Sequence, residues 1–361
     1  MEQLVPAFVD ALAREIEWAA QGAGGQRVHT IFFGGGTPSL LTARQFEHLL
    51  AELHRHFDIT ADAEITIEAN PNDLDRGYLR SLRTLGINRL SIGMQSSDET
   101  ELRLFDRRHD NEAVVRAGAA ARSAGFDNLN LDLVYGAPHQ TMTTWAATLR
   151  QALALAPEHI SLYALGLEDG TSMQVWVERG KLPAPDDDLA ADMYELATDM
   201  LGAAGYGQYE ISNWAQPGRE CRHNLQYWYN EPYLGLGPGA HGFAGGVRYS
   251  VILSPQRYIK ALTEAATSPS GGWPRTPALA EAAVLERDDE IAETLIMWLR
   301  LTREGVGRAR FAQRFGVDLV DLHRAIIERF RLQGLIEVDD ERVRLTPAGR
   351  LLSNIIFREF V

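Results

Sequence analysis

The sequence predicts an α/β fold of parallel βα units, either a barrel or a doubly wound sheet, followed by a small C-terminal α+β module. Two observations predict it. Apolar, strand-like runs at Thr30–Phe33, Glu64–Glu68, Arg89–Met94, Asn128–Val134 and His159–Leu165 recur at intervals of roughly thirty residues, with helical patterns between them. From about Pro274 the pattern changes to helices followed by a short hairpin.

Met1–Gln21 carries Leu4, Phe8, Leu12, Ile16 and Ala20, spaced as on an amphipathic helix, and no strand precedes it. Ile31–Phe33 then reads as a buried strand that breaks into Gly34–Gly36, with Thr37, Pro38 and Ser39 offering hydroxyls and a helix entry. Helices are expected at Ala43–His56, Asp73–Leu85, Glu112–Ala124 and Thr143–Ala154. Asp169–Asp188 reads as a surface excursion, Leu189–Ala204 as a helix and Gln208–Ser212 as a short extended piece. In the C-terminal module Asp289–Leu301, Arg308–Phe315 and Leu319–Gln333 read as helices. Leu335–Val338 and Arg342–Leu345 form a hairpin around Asp339–Glu341, and Pro347–Phe360 a last helix. Such a winged-helix-like module can read DNA, but Asp318, Asp321 and Glu328 offset Arg324, Arg329 and Arg331.

Composition narrows the function. The formal charge of −14 argues against a nucleic-acid surface. No apolar run approaches the ~20 residues of a membrane span, and the N-terminus has no basic-then-apolar signal pattern. Cys221 is the one cysteine, so no intramolecular disulfide forms and a reducing cytoplasmic compartment is expected. One thiolate also cannot hold an iron–sulfur cluster.

The ends of the strands carry the chemistry. Each apolar run closes on glycine or a polar residue: Gly34–Gly36, Glu68, Gln95, Asp132 and Gly166. Singly, each is an ordinary capping or solvent-facing residue. In succession they form one polar site, because parallel strands in a barrel all end on the ligand-binding face. A second stretch, Glu220–Phe243, contains HNLQYW at His223–Trp228. Imidazole is a natural iron ligand, and Tyr227 and Trp228 supply apolar walls of the kind a porphyrin face requires, but by chemistry alone a lone histidine beside aromatics is more often a satisfied core residue. Gly235, Gly237, Gly239 and Gly242 with Pro238 suggest a tight loop beside it, and Cys221 and His241 are weaker ligand candidates.

These residues together resemble the oxygen-independent coproporphyrinogen III oxidase-like family of radical S-adenosylmethionine proteins. The resemblance rests on GGGTPS at Gly34–Ser39, IEANP at Ile67–Pro71, IGMQS at Ile92–Ser96, RRHD at Arg107–Asp110 and LDLVYGAPHQT at Leu131–Thr141. HNxxYW is similar to the signature of the haem-chaperone branch. The resemblance implies a partial (β/α)6 TIM-like barrel, first strand missing, over residues 1–215. A haem-motif segment and connection would fill 216–285, and the winged-helix-like domain 286–361. It implies S-adenosylmethionine, with Gly35, Gly36 and Thr37 along its methionine part. Arg107, or less favourably Arg108, would pair with its carboxylate. Glu68, Gln95 and Asp132 would line the ribose side, with Gly166 near the adenine. His223, Asn224, Tyr227 and Trp228 would form the haem motif, His223 being the iron ligand. The implied role is binding haem and passing it to acceptor haemoproteins; from the charge balance no nucleic-acid partner is expected, and the sequence leaves the oligomeric state, a homodimer included, open. The implied alternative is a coproporphyrinogen III dehydrogenase.

One departure stands out. Family members begin with a strand and CxxxCxxC, whose thiolates hold a 4Fe-4S cluster, and neither is present here. The expectation is that Met1 is not the natural start or that the segment was removed, and that this chain as written performs no radical chemistry.

Overall fold

The computed structural model describes residues 2–23, 26–265 and 272–361; Met1, where the first helix was expected to begin, lies outside them. The chain divides into two compact units. One comprises Met1–Phe32, Leu41–Ile65 and Arg222–Val361, the other Phe33–Leu40 and Thr66–Cys221. Among the described residues no helix is long and apolar enough to cross a membrane.

Seven strands form one sheet: β1 (Arg27–Phe33), β2 (Asp58–Ala69), β3 (Arg89–Gln95), β4 (Leu129–Tyr135), β5 (His159–Ala164), β6 (Gly207–Glu210) and β7 (Asn213–Ala215). Their order is β1-β2-β3-β4-β5-β7-β6. Pairing is parallel from β2 to β5, and the last two strands close the sheet antiparallel. Helices Ala43–His56, Arg76–Thr84, Asn111–Ser123 and Met142–Ala154 lie between successive strands, which makes this the expected partial TIM-like barrel.

Side chains along a strand alternate between its two faces, and the two rows here have opposite characters. Ile67, Leu90, Ile92, Met94, Leu133 and Ile160 form a wholly buried apolar row. The helices supply buried apolar side chains to the same unit, among them Leu79, Leu82, Val114, Trp145 and Leu149. Each such burial contributes about 1.5–3 kcal/mol. The alternate row is polar: Thr66 and Glu68, Arg89 and Ser91, Asn130 and Asp132, His159 and Ser161. Those side chains build the first candidate site.

Several expected elements differ. Ile31–Phe33 is half-buried rather than buried, because β1 is the last strand of the sheet order. β2 starts at Asp58, six residues before the expected Glu64, where polar residues face out. The excursion at Asp169–Asp188 contains a helix, Ser172–Glu178, capped by the Thr171 hydroxyl. Leu319–Gln333 is two helices, Leu319–Leu322 and Arg324–Leu332. They break at His323, whose ring packs edge-on against Phe360, 5.2 Å between centroids. Pro347–Phe360 breaks likewise at Leu352.

The other unit adds two antiparallel sheets. One has the order β10-β9-β8, from β8 (His241–Ala244), β9 (Val247–Val251) and β10 (Leu279–Val284). The second, β11-β13-β12, joins β11 (Val306–Gly307) to the expected hairpin of β12 (Ile336–Val338) and β13 (Arg342–Leu345). Helix Val5–Ala23 presents Ala11 to a core of Tyr249, Val251, Tyr258 and Leu262. In this unit the Glu15 carboxylate is fully buried. It accepts hydrogen bonds from Gly237 N–H (2.7 Å), Tyr258 O–H (2.8 Å) and Thr276 O–H (2.8 Å).

Candidate functional site

The eight residues of the predicted nucleotide site all belong to the unit of Phe33–Leu40 and Thr66–Cys221. Gly35 and Gly36 turn the chain at φ +80° and +60°, a conformation that favours glycine, and the space a Cβ would occupy is open at both. Gly35 N–H donates to Glu68 Oε2 at 3.0 Å. Ser39 strengthens the same corner, donating to Asp73 at 2.7 Å and accepting from Asn70 N–H at 3.2 Å. Burial holds the Glu68 carboxyl above its usual range, and the negative charge of Asp132 adds to that.

Gln95 ends β3 at φ +64°, where the register with β4 slips. Its side chain folds back so that a Cβ on Gly93 would fall 2.8 Å from Gln95 Nε2. A non-glycine residue held there by its surroundings is the kind of strain found at binding sites. Asp132 corrects the sequence reading: it lies mid-strand in β4, three residues before the end at Tyr135, rather than at the mouth. Its place in the inward polar row fixes that depth. Arg107 and Arg108 are exposed and have no ion-pair partner among the described residues. Beside them His109 is buried, with Nε2 3.2 Å from the Met94 carbonyl, so that ring anchors the arginine loop to the end of β3. Burial lowers the His109 pKa. Thr37 and Gly166 are exposed, and no hydrogen bond joins Thr37, Gln95, Arg107 or Gly166 to another member of the set.

A buried network not expected from the sequence stands behind Asp132. Asn130 Nδ2 donates to Asp132 Oδ1 (2.8 Å) and Ser91 Oγ (2.7 Å), and Ser91 O–H donates to Asp132 Oδ2 (2.9 Å). Asn130 Oδ1 accepts from His159 Nδ1 (2.6 Å) and Ser161 O–H (3.2 Å). His159 Nδ1 therefore carries the ring proton, and Nε2 accepts the Tyr209 hydroxyl at 2.8 Å. Burial pushes Asp132 up and His159 well below its ordinary 6.5. The signal available in the sequence was the period of two: Arg89/Ser91, Asn130/Asp132 and His159/Ser161 recur inside otherwise apolar strands.

The haem-motif residues all belong to the other unit. His223, Asn224, Tyr227 and Trp228 lie on one short helix, Arg222–Trp228. Its first two N–H groups, of Arg222 and His223, donate to the Glu64 carboxylate at 3.1 and 3.0 Å, as expected for an anion at a helix N-terminus. The His223 ring is held on three sides. Thr30 Oγ1 lies 2.8 Å from Nδ1, the Tyr227 hydroxyl lies 2.8 Å from Nε2, and Phe32 stacks at 5.2 Å and 20°. Tyr227 in turn meets Tyr233 edge-on at 4.5 Å. Trp228 carries the Arg300 guanidinium over its ring at 4.3 Å. Asn224 makes no side-chain hydrogen bond among the described residues. Of the weaker candidates, Cys221 is fully buried and His241 exposed. The glycine loop is as tight as expected. A Cβ on Gly235 would fall 1.9 Å from the His241 carbonyl oxygen, and Gly235 N–H donates to Tyr249 at 2.9 Å.

A cavity of about 220 Å³ in the same unit is lined by Tyr229, Trp298, Glu304, Arg310 and Arg342. Its polar groups are already paired: Arg310 with Glu231, Tyr229 with Glu304 and Arg342 with Glu341.

The chain is similar to known proteins throughout its length. The radical SAM superfamily matches residues 7–152, and the HemN C-terminal domain matches residues 285–352. The heme chaperone HemW of Bacillus subtilis is 35% identical over 360 residues, covering 99% of this chain and 92% of that protein. HemW of Escherichia coli K12 is 34% identical over 98% of this chain and 89% of its own length. A mitochondrial radical S-adenosyl methionine domain-containing protein 1 from Bos taurus is 38% identical over 91% and 74%. Among solved structures, the coproporphyrinogen III oxidase HemN of Escherichia coli, a radical SAM enzyme, superposes with a TM-score of 0.83 at 27% identity. That match covers all of this chain and 84% of the other.

Proposed function

The chain belongs to the HemW-type haem chaperone family of radical S-adenosylmethionine proteins, and on that premise we propose that it binds haem through His223 and hands it to haemoproteins. The observation that carries this reading is the surround of His223. A half-buried imidazole stacks on Phe32, and Tyr227 and Tyr233 stand edge-on in series beyond it. A porphyrin needs one basic ligand for its iron and flat apolar surface for its faces, and this cluster offers both. Titration of ferric haem followed at the Soret band tests it. His223→Ala is expected to weaken binding at least about tenfold, since even a group that only supports a metal ligand costs that much when removed. Wild-type affinity in that variant would sink the reading.

S-adenosylmethionine is proposed for the other unit. The open turn at Gly35, Gly36 and Thr37 would take the methionine part, and Arg107 its carboxylate. Glu68, Gln95 and Asp132 would take the ribose hydroxyls, with Gly166 near the adenine. The open space at the Cβ positions of Gly35 and Gly36, and an exposed Arg107 with no ion-pair partner among the described residues, support the fit. Arg107→Ala should weaken S-adenosylhomocysteine, measured by calorimetry, about tenfold through loss of a charge-assisted pair, while Arg108→Ala leaves it unchanged. The opposite pattern would move the role to Arg108. A 4Fe-4S cluster does not fit the residues of this chain. Cys221 is its one cysteine, and among the described residues no group of three His, Cys, Asp or Glu could hold a metal.

The likeness to HemN favours one second reading, action on coproporphyrinogen. A competition titration separates the two. Haem displaced by metal-free coproporphyrin at equal concentration would favour the enzyme-like reading, since the iron would then contribute nothing.

A further inference from the structure

Both ring nitrogens of His223 are engaged, by hydroxyls with opposite consequences for a metal. Thr30, on β1 and 193 residues away in sequence, meets Nδ1; Tyr227, one helical turn along, meets Nε2. A neutral imidazole carries one proton, so one nitrogen donates and the other accepts. Hydroxyls can donate or accept, and the tautomer with Nδ1–H donating to Thr30 directs the Nε2 lone pair at the Tyr227 hydroxyl.

We propose that Thr30 is the positioning residue for His223 as a haem ligand, and that the Tyr227 hydroxyl competes with iron for Nε2. This rests on the haem reading above. Metal-binding histidines usually donate their second N–H to an oxygen, which fixes the tautomer and aims the ring. Thr30 supplies that oxygen, and the stack on Phe32 holds the ring plane. Tyr227 does the reverse. Its hydrogen bond must break before iron binds, and it re-forms when haem leaves. The Tyr227 ring then keeps a partner, because its edge contact with Tyr233 does not involve the hydroxyl. A protein that passes its cargo on must let go of it, and a hydroxyl waiting beside the ligand lowers the cost of release. One neutral hydrogen bond shifts such an equilibrium by about 2- to 10-fold.

Ferric haem titrations of the whole chain, with electron paramagnetic resonance of each complex, test this. Thr30→Val is expected to weaken binding about 3- to 10-fold and to change the spin-state signature, while Thr30→Ser, which keeps the hydroxyl, restores both. Tyr227→Phe, which keeps the ring, is expected to tighten binding about 3- to 10-fold and to slow haem release. If His223→Ala binds like wild type, the haem reading fails and takes this inference with it. If His223→Ala weakens binding but Thr30→Val and Tyr227→Phe match wild type, the inference alone is overturned. Weaker binding in Tyr227→Phe would also overturn it, by making the hydroxyl a contributor to affinity.

Discussion

Glu15→Ala is expected to lower the free energy of unfolding by about 3–5 kcal/mol, seen as an earlier midpoint in urea. Glu15 is a charged side chain with no exposed surface, placed where helix Val5–Ala23 meets the glycine loop. Three donors converge on it, from Gly237, Tyr258 and Thr276. Removing the carboxylate leaves all three without an acceptor in a core that excludes water, and each orphan costs about 1–3 kcal/mol. A loss below about 1 kcal/mol would mean that water enters and replaces the acceptor. The pH dependence has a definite sign. Burial raises the Glu15 pKa above its ordinary 4.5, so the folded state binds the proton more tightly than the unfolded chain. Its contribution is greatest below pH 4.5 and declines as pH rises through the folded value. Glu15→Gln removes that slope, so the stability of wild type relative to Glu15→Gln should fall across the same window.

Asn130→Leu is expected to cost a similar amount, about 3–5 kcal/mol, by a different route. Asn130 touches Ser91, Asp132, His159 and Ser161, and no other side chain in the network is both donor and acceptor to so many. Leucine keeps the volume and deletes every bond. His159 Nδ1–H and one Asp132 oxygen lose their partners, and Asp132, already raised by burial, should rise further. Carbon-13 spectra of labelled aspartate across a pH titration would report that shift. An unmoved Asp132 would show that Ser91 alone sets its ionisation. His159 adds the opposite pH sign. It is held neutral well below 6.5, so its contribution to stability is lost as pH falls below 6.5, where the unfolded imidazole takes up a proton.

The two largest effects lie at positions of unequal legibility. Asn130 sits in a strand that the apolar run at Asn128–Val134 located to within a residue, and alternation along that strand points its side chain inward with Asp132. Glu15 has no such mark: in sequence it is one acidic residue on an amphipathic helix, and only tertiary packing reveals the three donors around it. The same division runs through both candidate sites. The places of Gly35, Glu68 and Gln95 at strand ends were readable because strand ends and glycine turns are local signals. The bond from Ser91 to Asp132 was not, since it depends on the register between β3 and β4. Thr30 could not be paired with His223 across 193 residues from one sequence. The helix break at His323 escaped for a related reason. Periodicity on either side is intact, and the interruption coincides with the contact to Phe360.

Helix Arg222–Trp228 is seven residues long, shorter than any segment that holds a helix by itself in water. Its order comes from outside: Glu64 closes its first turn, and Thr30 and Phe32 pin its second residue. Such a segment can melt and re-form while the rest of its unit stays folded, because few of its bonds are its own. A substitution at Glu64, Thr30 or Phe32 would therefore loosen this helix without changing a residue inside it.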